Sequence, residues 1–365
     1  MADKIRAQVA ALVRSGVRMD LFHIASGAIA CNGKGVKSFG AGPVWRRLTY
    51  YLFFYFGVAR LAGPLDFLYV RYRGSSPRFL WMLRRLRRAN PALAIVVELP
   101  SYPYHTETVS LREKVLARVD RACRGALAGL VDRIVTFSRE DRIFGVPTIR
   151  TDNGVDVQAL RVLPRAPSAE GLRLLGVANL SFWHGYDRVI AGMADYYARG
   201  GTRDIFFDVV GSGAELGKLR EQALATGLAE RVRFWGPRRG QELEEIVARC
   251  HVGISSIGMH RLQVDTSNLK SREFCARGLP FAIGYPDRDF PGTLPFVFQA
   301  PATDDALDIE ALAGFLDRLG ESDPDYPRTM RAHAERNLTW HAKMQPVVEW
   351  LRHVPAAATV SPACN

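Results

Sequence analysis

The feature that most constrains the fold of this chain is an alternation of short apolar stretches with longer amphipathic ones. Residues 94–100 have the pattern of a buried strand, uncharged up to Glu98, and residues 132–138 have a similar pattern. Residues 110–130, between them, have the length and polarity of a helix. Strands separated by helices of this length pair in parallel as βαβ units. The sequence therefore predicts an α/β protein with doubly wound parallel sheets.

The second half of the chain repeats this alternation after a segment rich in proline and alanine at 162–171. A length of 365 residues suits two domains. We predict an N-terminal domain over 1–162, a C-terminal domain over 170–335, and a helix over 336–355 that crosses back to the first domain. Ligands bind beyond the carboxyl ends of parallel strands, so two such domains suggest a cleft between them.

The first ninety residues are predicted to open with a helix. Residues 4–15 place their apolar side chains on one helical face, and residues 17–25 follow as a strand. The glycine-rich segment 31–42 predicts a loop. Residues 66–72 predict a strand, and residues 76–91 a basic helix.

Composition excludes several classes of protein. Hydrophobic residues make up 48% and charged residues 24% of the chain, which is a globular balance. The sequence has neither an 18-residue apolar span nor the pattern of a cleaved signal peptide. Its five dispersed cysteines favour a reducing cytoplasm. Cysteines and histidines form no ligand motif, so we expect no metal site.

The positive charge of the chain is concentrated near its start. Residues 1–90 contain sixteen Lys and Arg but three acids, whereas the remainder is nearly neutral. This asymmetry predicts an anionic partner. We expect attachment to the inner face of a membrane, with Trp45, Tyr50 and Tyr51 at the headgroup boundary. A soluble phosphorylated acceptor remains the alternative. No nucleic-acid module is recognised, so nucleic acid is not expected as a partner.

The stretch 265–273 carries residues suited to bind a nucleotide. Asp265 and Glu273 stand eight positions apart. Ser267 or Asn268 could cap a helix that carries Glu273 on its first turns, with Asp265 on the loop before it. A helix N-terminus suits a diphosphate, and the acids could accept hydrogen bonds from sugar hydroxyls. A solvated loop before a helix start is the alternative interpretation.

The motif order over residues 90–350 is more specific than this stretch alone. A Gly-x-Gly turn after a strand precedes a V-x-F-x-G strand, an acid-x7-acid motif and a G-x-P turn. These positions are Gly211, Gly213, Val232, Phe234, Gly236, Asp265, Glu273, Gly278 and Pro280. Residues 152–156 and 183–190 fit N-G-[VI]-D and K-G-x-D-x-L-I. The set resembles retaining glycosyltransferases of family 4, in particular a bacterial polysaccharide-type subgroup.

This resemblance implies the GT-B fold, with two Rossmann-like domains facing a cleft. It implies transfer of a sugar, with retention and without a metal, from a nucleotide-sugar to a hydroxyl. The implied acceptor is a lipid-linked or other saccharide of bacterial surface polysaccharide biosynthesis, and no further cofactor is implied. Glu273 would bind the donor ribose, and Asp265 would face the transferred sugar. The implied donor-binding positions are Asn179, His184, Gly211, Gly213, Trp235, Gly236, Ser267, Asn268, Leu269 and Lys270.

The chain departs from the family pattern at the donor phosphates. The family carries an Arg and a Lys where Asn179 and His184 stand here. Phosphate neutralisation must therefore come from other residues, and Lys270 and Arg272 are the nearby candidates. The first acid is Asp265 where the family has Glu, which gives a shorter reach.

A second departure lies at the start of the chain. The family's opening strand and glycine-rich loop have no counterpart before Lys4, so the first strand of the N-domain is expected to be missing. Three explanations are open. The true start lies upstream, the segment 31–42 substitutes for the loop, or the protein is impaired.

The segment after the strand at 94–100 provides the acceptor-side candidates. It resembles the E-x-P-x-Y-P-Y segment of the polysaccharide subgroup. Glu98, His105 or Glu107 could contact the acceptor hydroxyl or the sugar. Glu98 is favoured by its place at a strand end, whereas His105 has exposure in a loop as its alternative.

Two other functions remain open on the same architecture. One is a nucleotide-sugar epimerase. The other is a catalytically weak glycosyltransferase-like subunit that binds a partner.

Overall fold

The protein consists of two compact units in a computed structural model. Unit 1 comprises Met1–Asp152 and Lys343–Asn365, and unit 2 comprises Asn153–Ala342. The structure describes residues 2–25, 28–38, 42, 53–62, 65–100, 102, 111–167, 171–262 and 267–354. Within these ranges, no helix combines the length and apolar character needed to cross a bilayer.

Unit 1 contains a five-stranded, mainly parallel sheet and a separate antiparallel meander. Its elements are α1 Ala2–Arg14, β1 Phe22–Ala25, β2 Ala28–Cys31, β3 Lys34–Ser38, α2 (residues 53–61), β4 Phe67–Arg71, α3 Pro77–Ala89, β5 Ala94–Glu98, α4 Leu111–Cys123, β6 Arg133–Thr136, β7 Arg142–Ile143 and β8 Val146–Arg150. The sheet order is β4-β5-β6-β8-β7, and only β7 runs antiparallel to its neighbour. Strands at 66–72, 94–100 and 132–138 are thereby confirmed.

Local sequence explains the central βαβ unit of this sheet. All five residues of β5 are buried, as expected for an apolar strand covered on both faces. Ser76 caps α3 by accepting a hydrogen bond from the Phe79 N–H, and Pro77 occupies the first turn. The basic face of α3 stays outside, while Leu83 and its apolar neighbours pack inward.

The prediction of a loop over 31–42 is wrong, because β2 and β3 form a hairpin there. Its turn residues Asn32 and Gly33 have φ values of 50° and 86°. Asn-Gly is the pair that a two-residue hairpin turn favours, since both positions need positive φ. The Asn32-Gly33 pair therefore marks a turn between strands.

Unit 2 contains a six-stranded sheet in which every pair is parallel. Its elements are β9 Leu172–Asn179, α5 Tyr186–Ala198, β10 Ile205–Ser212, α6 Leu216–Ala225, β11 Val232–Gly236, α7 Gly240–Val247, β12 Val252–Ile254, α8 Leu269–Arg277, β13 Phe281–Ile283, β14 Val297–Gln299, α9 Ile309–Ser322 and α10 Tyr326–Asn337. Helix α11, which follows α10 along the chain, is Trp340–Arg352. The order β11-β10-β9-β12-β13-β14 is the 3-2-1-4-5-6 order of a Rossmann sheet.

Alternation along the strands gives this sheet two apolar layers. Leu174 of β9 packs in a cluster with Val189 and Ile190 of α5. The next residue, Leu175, packs in a second cluster with Phe274 of α8. Both faces are therefore covered by helices, which leaves the strand ends as the accessible polar edge.

Candidate functional site

The donor-binding positions predicted in unit 2 gather at the carboxyl edge of its sheet. Asn179 ends β9 and is exposed, and Gly236 ends β11. Helix α8 begins at Leu269, after the strand β12. Because the strands are parallel, these ends share one edge of the sheet.

Packing against β9 explains the glycines of the Gly-x-Gly turn. A Cβ on Gly211 would lie 1.8 Å from the carbonyl oxygen of Ala178, and one on Gly213 would lie 2.2 Å from that of Leu180. Gly211 also has a φ of 130°. Any larger residue would push β10 away from β9, so these glycines keep the edge tight.

Trp235 is engaged within its own unit. Its indole N–H donates to Asp208 Oδ1 at 2.6 Å. The Arg233 guanidinium carbon lies 3.7 Å from the centre of the indole ring. These contacts account for the tryptophan through packing and a partly buried hydrogen bond.

The segment between β9 and α5 fixes His184 as a neutral hydrogen-bond donor. The backbone N–H of Ser181 donates to His184 Nδ1 at 3.1 Å, so the ring proton is assigned to Nε2. Burial, followed by the nearby Lys270 charge, lowers the pKa of His184 to about 3. Gly185 then turns the chain with a φ of 70° into α5. His184 therefore offers an N–H without a positive charge.

The start of α8 carries an unused polar group. Asn268 occupies the cap position, but its side chain makes no capping hydrogen bond. Among the described residues, its buried Nδ2 has no hydrogen-bond partner of good geometry. Ser267 is engaged instead with Asn153, whose backbone N–H donates to the Ser267 hydroxyl at 2.9 Å. Ser267 thus anchors the segment, while Asn268 keeps a donor available.

Lys270 lies one residue into α8. Its Nζ donates to the carbonyl oxygen of Ser255 at 3.0 Å. Among the residues that the structure describes, no carboxylate lies within ion-pair distance of this ammonium. Desolvation lowers the pKa of Lys270 to about 7, and attraction to Glu273 opposes the shift.

Glu273 follows on the next turn of α8 and is exposed. Partial desolvation raises its pKa, and the positive charge of Arg277 opposes the effect. Leu269, at the start of the helix, is exposed as well. The carboxylate of Glu273 is therefore accessible to a ligand.

Arg272, the other candidate for the donor phosphates, is paired with carboxylates inside unit 2. Its guanidinium donates to both Asp287 oxygens, at 2.9 and 3.0 Å, and pairs with Asp289. The side chain has 0% exposure. Arg272 therefore fastens α8 to the segment after β13 and is closed to a phosphate.

Glu98 of unit 1 is likewise engaged by its own chain. Its Oε1 accepts hydrogen bonds from Gln8 Nε2 and Arg71 Nη1, both at 3.1 Å, and lies 3.9 Å from Lys4 Nζ. The side chain is 1% exposed. Glu98 thus ties α1 to β4 and β5 and is not open to an acceptor in this arrangement.

Six predicted residues lie outside the described ranges, and three of them, Trp45, Tyr50 and Tyr51, fall in 43–52. His105 and Glu107 fall in 103–110, and Asp265 falls in 263–266. The roles implied for them stay predictions.

Two arginines that the sequence analysis missed brace the segments around His184. Arg261 donates to both carboxylate oxygens of Asp187, at 3.0 and 2.7 Å, and to Asp304 at 2.6 Å. Arg188 is buried and donates to the carbonyl oxygens of Asp305 and Ile257. Asp187 was the available signal, because it belongs to the matched 183–190 motif.

In the described ranges, no three His, Cys, Asp or Glu side chains gather as a metal site would require.

No protein-family model matches this sequence, and no curated protein does. Solved structures match its fold. Sucrose-phosphate synthase from Thermosynechococcus elongatus is 16% identical over 95% of this chain and 92% of its own, with a TM-score of 0.59. HepE from Anabaena, in complex with UDP and glucose, is 16% identical over 88% and 87%, with a TM-score of 0.52. The lipopolysaccharide outer core galactosyltransferase WaaB is 14% identical over 84% and 80%, with a TM-score of 0.51.

Likeness at these identities establishes architecture. The predicted α/β class and Rossmann-like sheets agree with it. The chain has the GT-B fold of these glycosyltransferases.

Proposed function

We propose that the protein is a retaining glycosyltransferase that moves a sugar from a nucleotide-sugar to a hydroxyl acceptor. The observation that carries this proposal is the arrangement at the carboxyl edge of unit 2. There Lys270 has no carboxylate partner among the described residues, His184 is neutral, and Glu273 is exposed. A cation, a neutral N–H donor and a carboxylate are the groups that a diphosphate and a ribose require.

In the proposed reaction, the bond between the sugar C1 and the donor diphosphate breaks. A new bond forms between C1 and the acceptor oxygen, the anomeric configuration is kept, and the acceptor hydroxyl gives its proton to the departing diphosphate. Lys270, His184 and the N-terminus of α8 stabilise the negative charge of the departing diphosphate. Glu273 accepts hydrogen bonds from the ribose, and Asp265 faces the transferred sugar. Because Lys270 and the helix supply positive charge, the proposal needs no metal.

Structures of similar fold support the proposal only by analogy, because fold alone does not determine function. One of them, HepE, was solved with UDP and glucose, and another, WaaB, is a lipopolysaccharide outer core galactosyltransferase. The donor site proposed for this chain therefore depends on its own Lys270, His184 and Glu273.

The test is release of nucleoside diphosphate from a panel of nucleotide-sugars, with and without saccharide acceptors. We expect release that depends on the acceptor, and NMR of the product should show the donor's anomeric configuration. Glu273→Gln should lower the rate about a hundredfold, because a carboxylate that binds the donor is lost. Glu310→Gln, on an exposed turn of α9, is the matched control.

The other outcomes identify the alternatives. A changed sugar without acceptor would indicate an epimerase, and neither release nor change would indicate a weak partner subunit. Full activity of Glu273→Gln would remove the assigned site.

We further propose that the acceptor is a lipid-linked oligosaccharide and that the protein acts from the cytoplasm on the inner membrane face. Exposed aromatic and basic side chains on unit 1 support this. Phe53 is 50% and Trp81 37% exposed, and the Arg85 guanidinium lies 5.8 Å from the Trp81 ring centre. Arg84 and Arg88 are exposed on the same helix, α3. Basic residues contribute about 1 kcal/mol each near an anionic surface.

Sedimentation with vesicles tests this attachment. Anionic vesicles should pellet the protein at low salt, and neutral vesicles should not. Neutralising Arg84, Arg85 and Arg88 to Gln should release it. Arg87 is left unchanged, because it pairs with Asp132 at 2.7 Å. Equal pelleting with both vesicles would contradict electrostatic attachment.

A further inference from the structure

We propose that Lys270 gains a proton when the diphosphate of a nucleotide binds, so that binding takes up a hydrogen ion from solvent. This coupling rests on the proposed donor site and concerns how that site balances its charge. It makes Lys270 the residue that adjusts the charge of the site to its ligand.

The contacts of Lys270 are those of a group without a counter-ion. Its Nζ donates to the neutral carbonyl of Ser255 at 3.0 Å and lies 5.8 Å from the ring centre of Tyr186. No Asp or Glu among the described residues pairs with it. Two residues further along α8, Arg272 has two carboxylate partners, so the same helix shows how this protein stabilises a permanent buried charge.

An ammonium removed from water without a counter-ion is destabilised relative to the neutral amine. The pKa of Lys270, lowered to about 7 by desolvation, agrees with this geometry. At neutral pH the ligand-free protein therefore holds a mixture of charged and neutral Lys270. A bound diphosphate would supply the missing negative charge and favour the protonated form.

The groups that face Lys270 do not replace this role. His184 is neutral, with a pKa lowered to about 3, and burial raises the pKa of Tyr186. Glu273 attracts the ammonium from the next turn of α8, but desolvation outweighs the attraction. Above pH 7.5, His184 and Tyr186 keep their protonation states.

Linkage converts this coupling into a pH dependence of binding. Above the pKa of the free protein, each pH unit should weaken binding by up to tenfold, because the proton must be taken from an increasingly dilute pool. The terminal phosphate of the ligand has a pKa of about 6 and is already ionised above pH 7.5. Between pH 7.5 and 8.5 the nucleobases stay mainly neutral, so the ligand's own titration does not produce the slope.

Isothermal titration calorimetry of the full chain tests the proposal. The probes are uridine, guanosine and adenosine diphosphates, measured at pH 7.5, 8.0 and 8.5, where the nucleobases stay mainly neutral. For the nucleotide that binds, Kd should rise roughly tenfold per pH unit. At pH 8.5, titrations in buffers of different ionisation enthalpy should show uptake of about one proton per nucleotide.

Lys270→Arg separates charge from titration, because arginine stays protonated in this range. This variant should bind with a flat pH profile and no proton uptake. Lys114→Arg, on an exposed position of α4, is the matched control and should keep the wild-type slope. If Lys270→Arg does not fold, the proton count of the wild type decides.

A flat wild-type profile without proton uptake overturns the coupling and leaves the donor site standing. A slope that persists in Lys270→Arg also overturns it, since another group would then titrate. Binding of none of the three diphosphates at any pH overturns both the coupling and the donor site.

Discussion

Each unit has a carboxylate near the carboxyl edge of its sheet, but the two carboxylates differ in burial and in pairing. In unit 1, Glu98 is buried and holds Arg71, Gln8 and the nearby Lys4. In unit 2, Glu273 is exposed, and the structure's described ranges place no ion-pair partner beside it. A charge that the chain satisfies itself builds structure, whereas an open charge is available to a ligand.

Helix α8 repeats the contrast over three positions. Arg272 pairs with Asp287 and Asp289, while the described residues give Lys270 a carbonyl partner but no carboxylate. Arg272 therefore fixes the position of α8, whereas Lys270 is left available to a ligand. Both cations lie in the first turn of α8, just after the cap residue Asn268. Their positions in the sequence therefore do not tell which of them pairs with carboxylates.

The largest expected effect is on Glu98. Glu98→Ala would leave Arg71 and Lys4 without their shared buried partner, which costs about 3–5 kcal/mol of unfolding free energy. Urea denaturation followed by circular dichroism measures this loss. Glu140→Ala, an exposed residue of unit 1, should change stability by less than about 0.5 kcal/mol. Equal effects of the two substitutions would break the comparison.

A smaller effect concerns His184, which is buried at the site of unit 2. Its pKa is about 3 in the folded protein and about 6.5 when unfolded. Acidification therefore protonates the unfolded chain first, so this contribution is complete above pH 6.5 and is lost as pH falls. Between pH 7.5 and 5 it should amount to about 2 kcal/mol. Wild type and His184→Gln, denatured at both pH values, should differ by that change, and parallel profiles would refute the neutral assignment.

The smallest expected effect is that of Glu273→Gln on stability. The residue is exposed and without an ion pair in the described part of the chain, so unfolding free energy should change by less than about 0.5 kcal/mol. Thermal unfolding compared with wild type measures this. A loss above about 2 kcal/mol would mean that Glu273 is structural, as Glu98 is.

The sequence predicted both parallel sheets because apolar stretches such as 94–100 carry their periodicity locally. The loop prediction for 31–42 was wrong, because a high glycine content is typical of loops, whereas the Asn32-Gly33 pair specifically favours a hairpin turn. Strand β14 and helices α9 and α10 were not predicted, because their segments carry none of the family's motifs.

The candidate site was only partly predictable for a different reason. Motif order brought His184, Lys270 and Glu273 to attention. The saturation of Glu98 depends on Gln8, 90 residues away in the sequence, and the anchoring of Ser267 depends on Asn153, 114 residues away. Such tertiary partners leave no local pattern, so sequence reasoning could not tell a sealed carboxylate from an open one.

Amide hydrogen exchange with and without a bound nucleoside diphosphate tests most directly that the ligand site lies in unit 2. We expect slower exchange in residues 181–186 and in the first turn of α8, because bound phosphate would engage backbone N–H groups there. Exchange in α1 and β5, around Glu98, should stay unchanged. Protection confined to α1 and β5, with none at α8, would contradict the account.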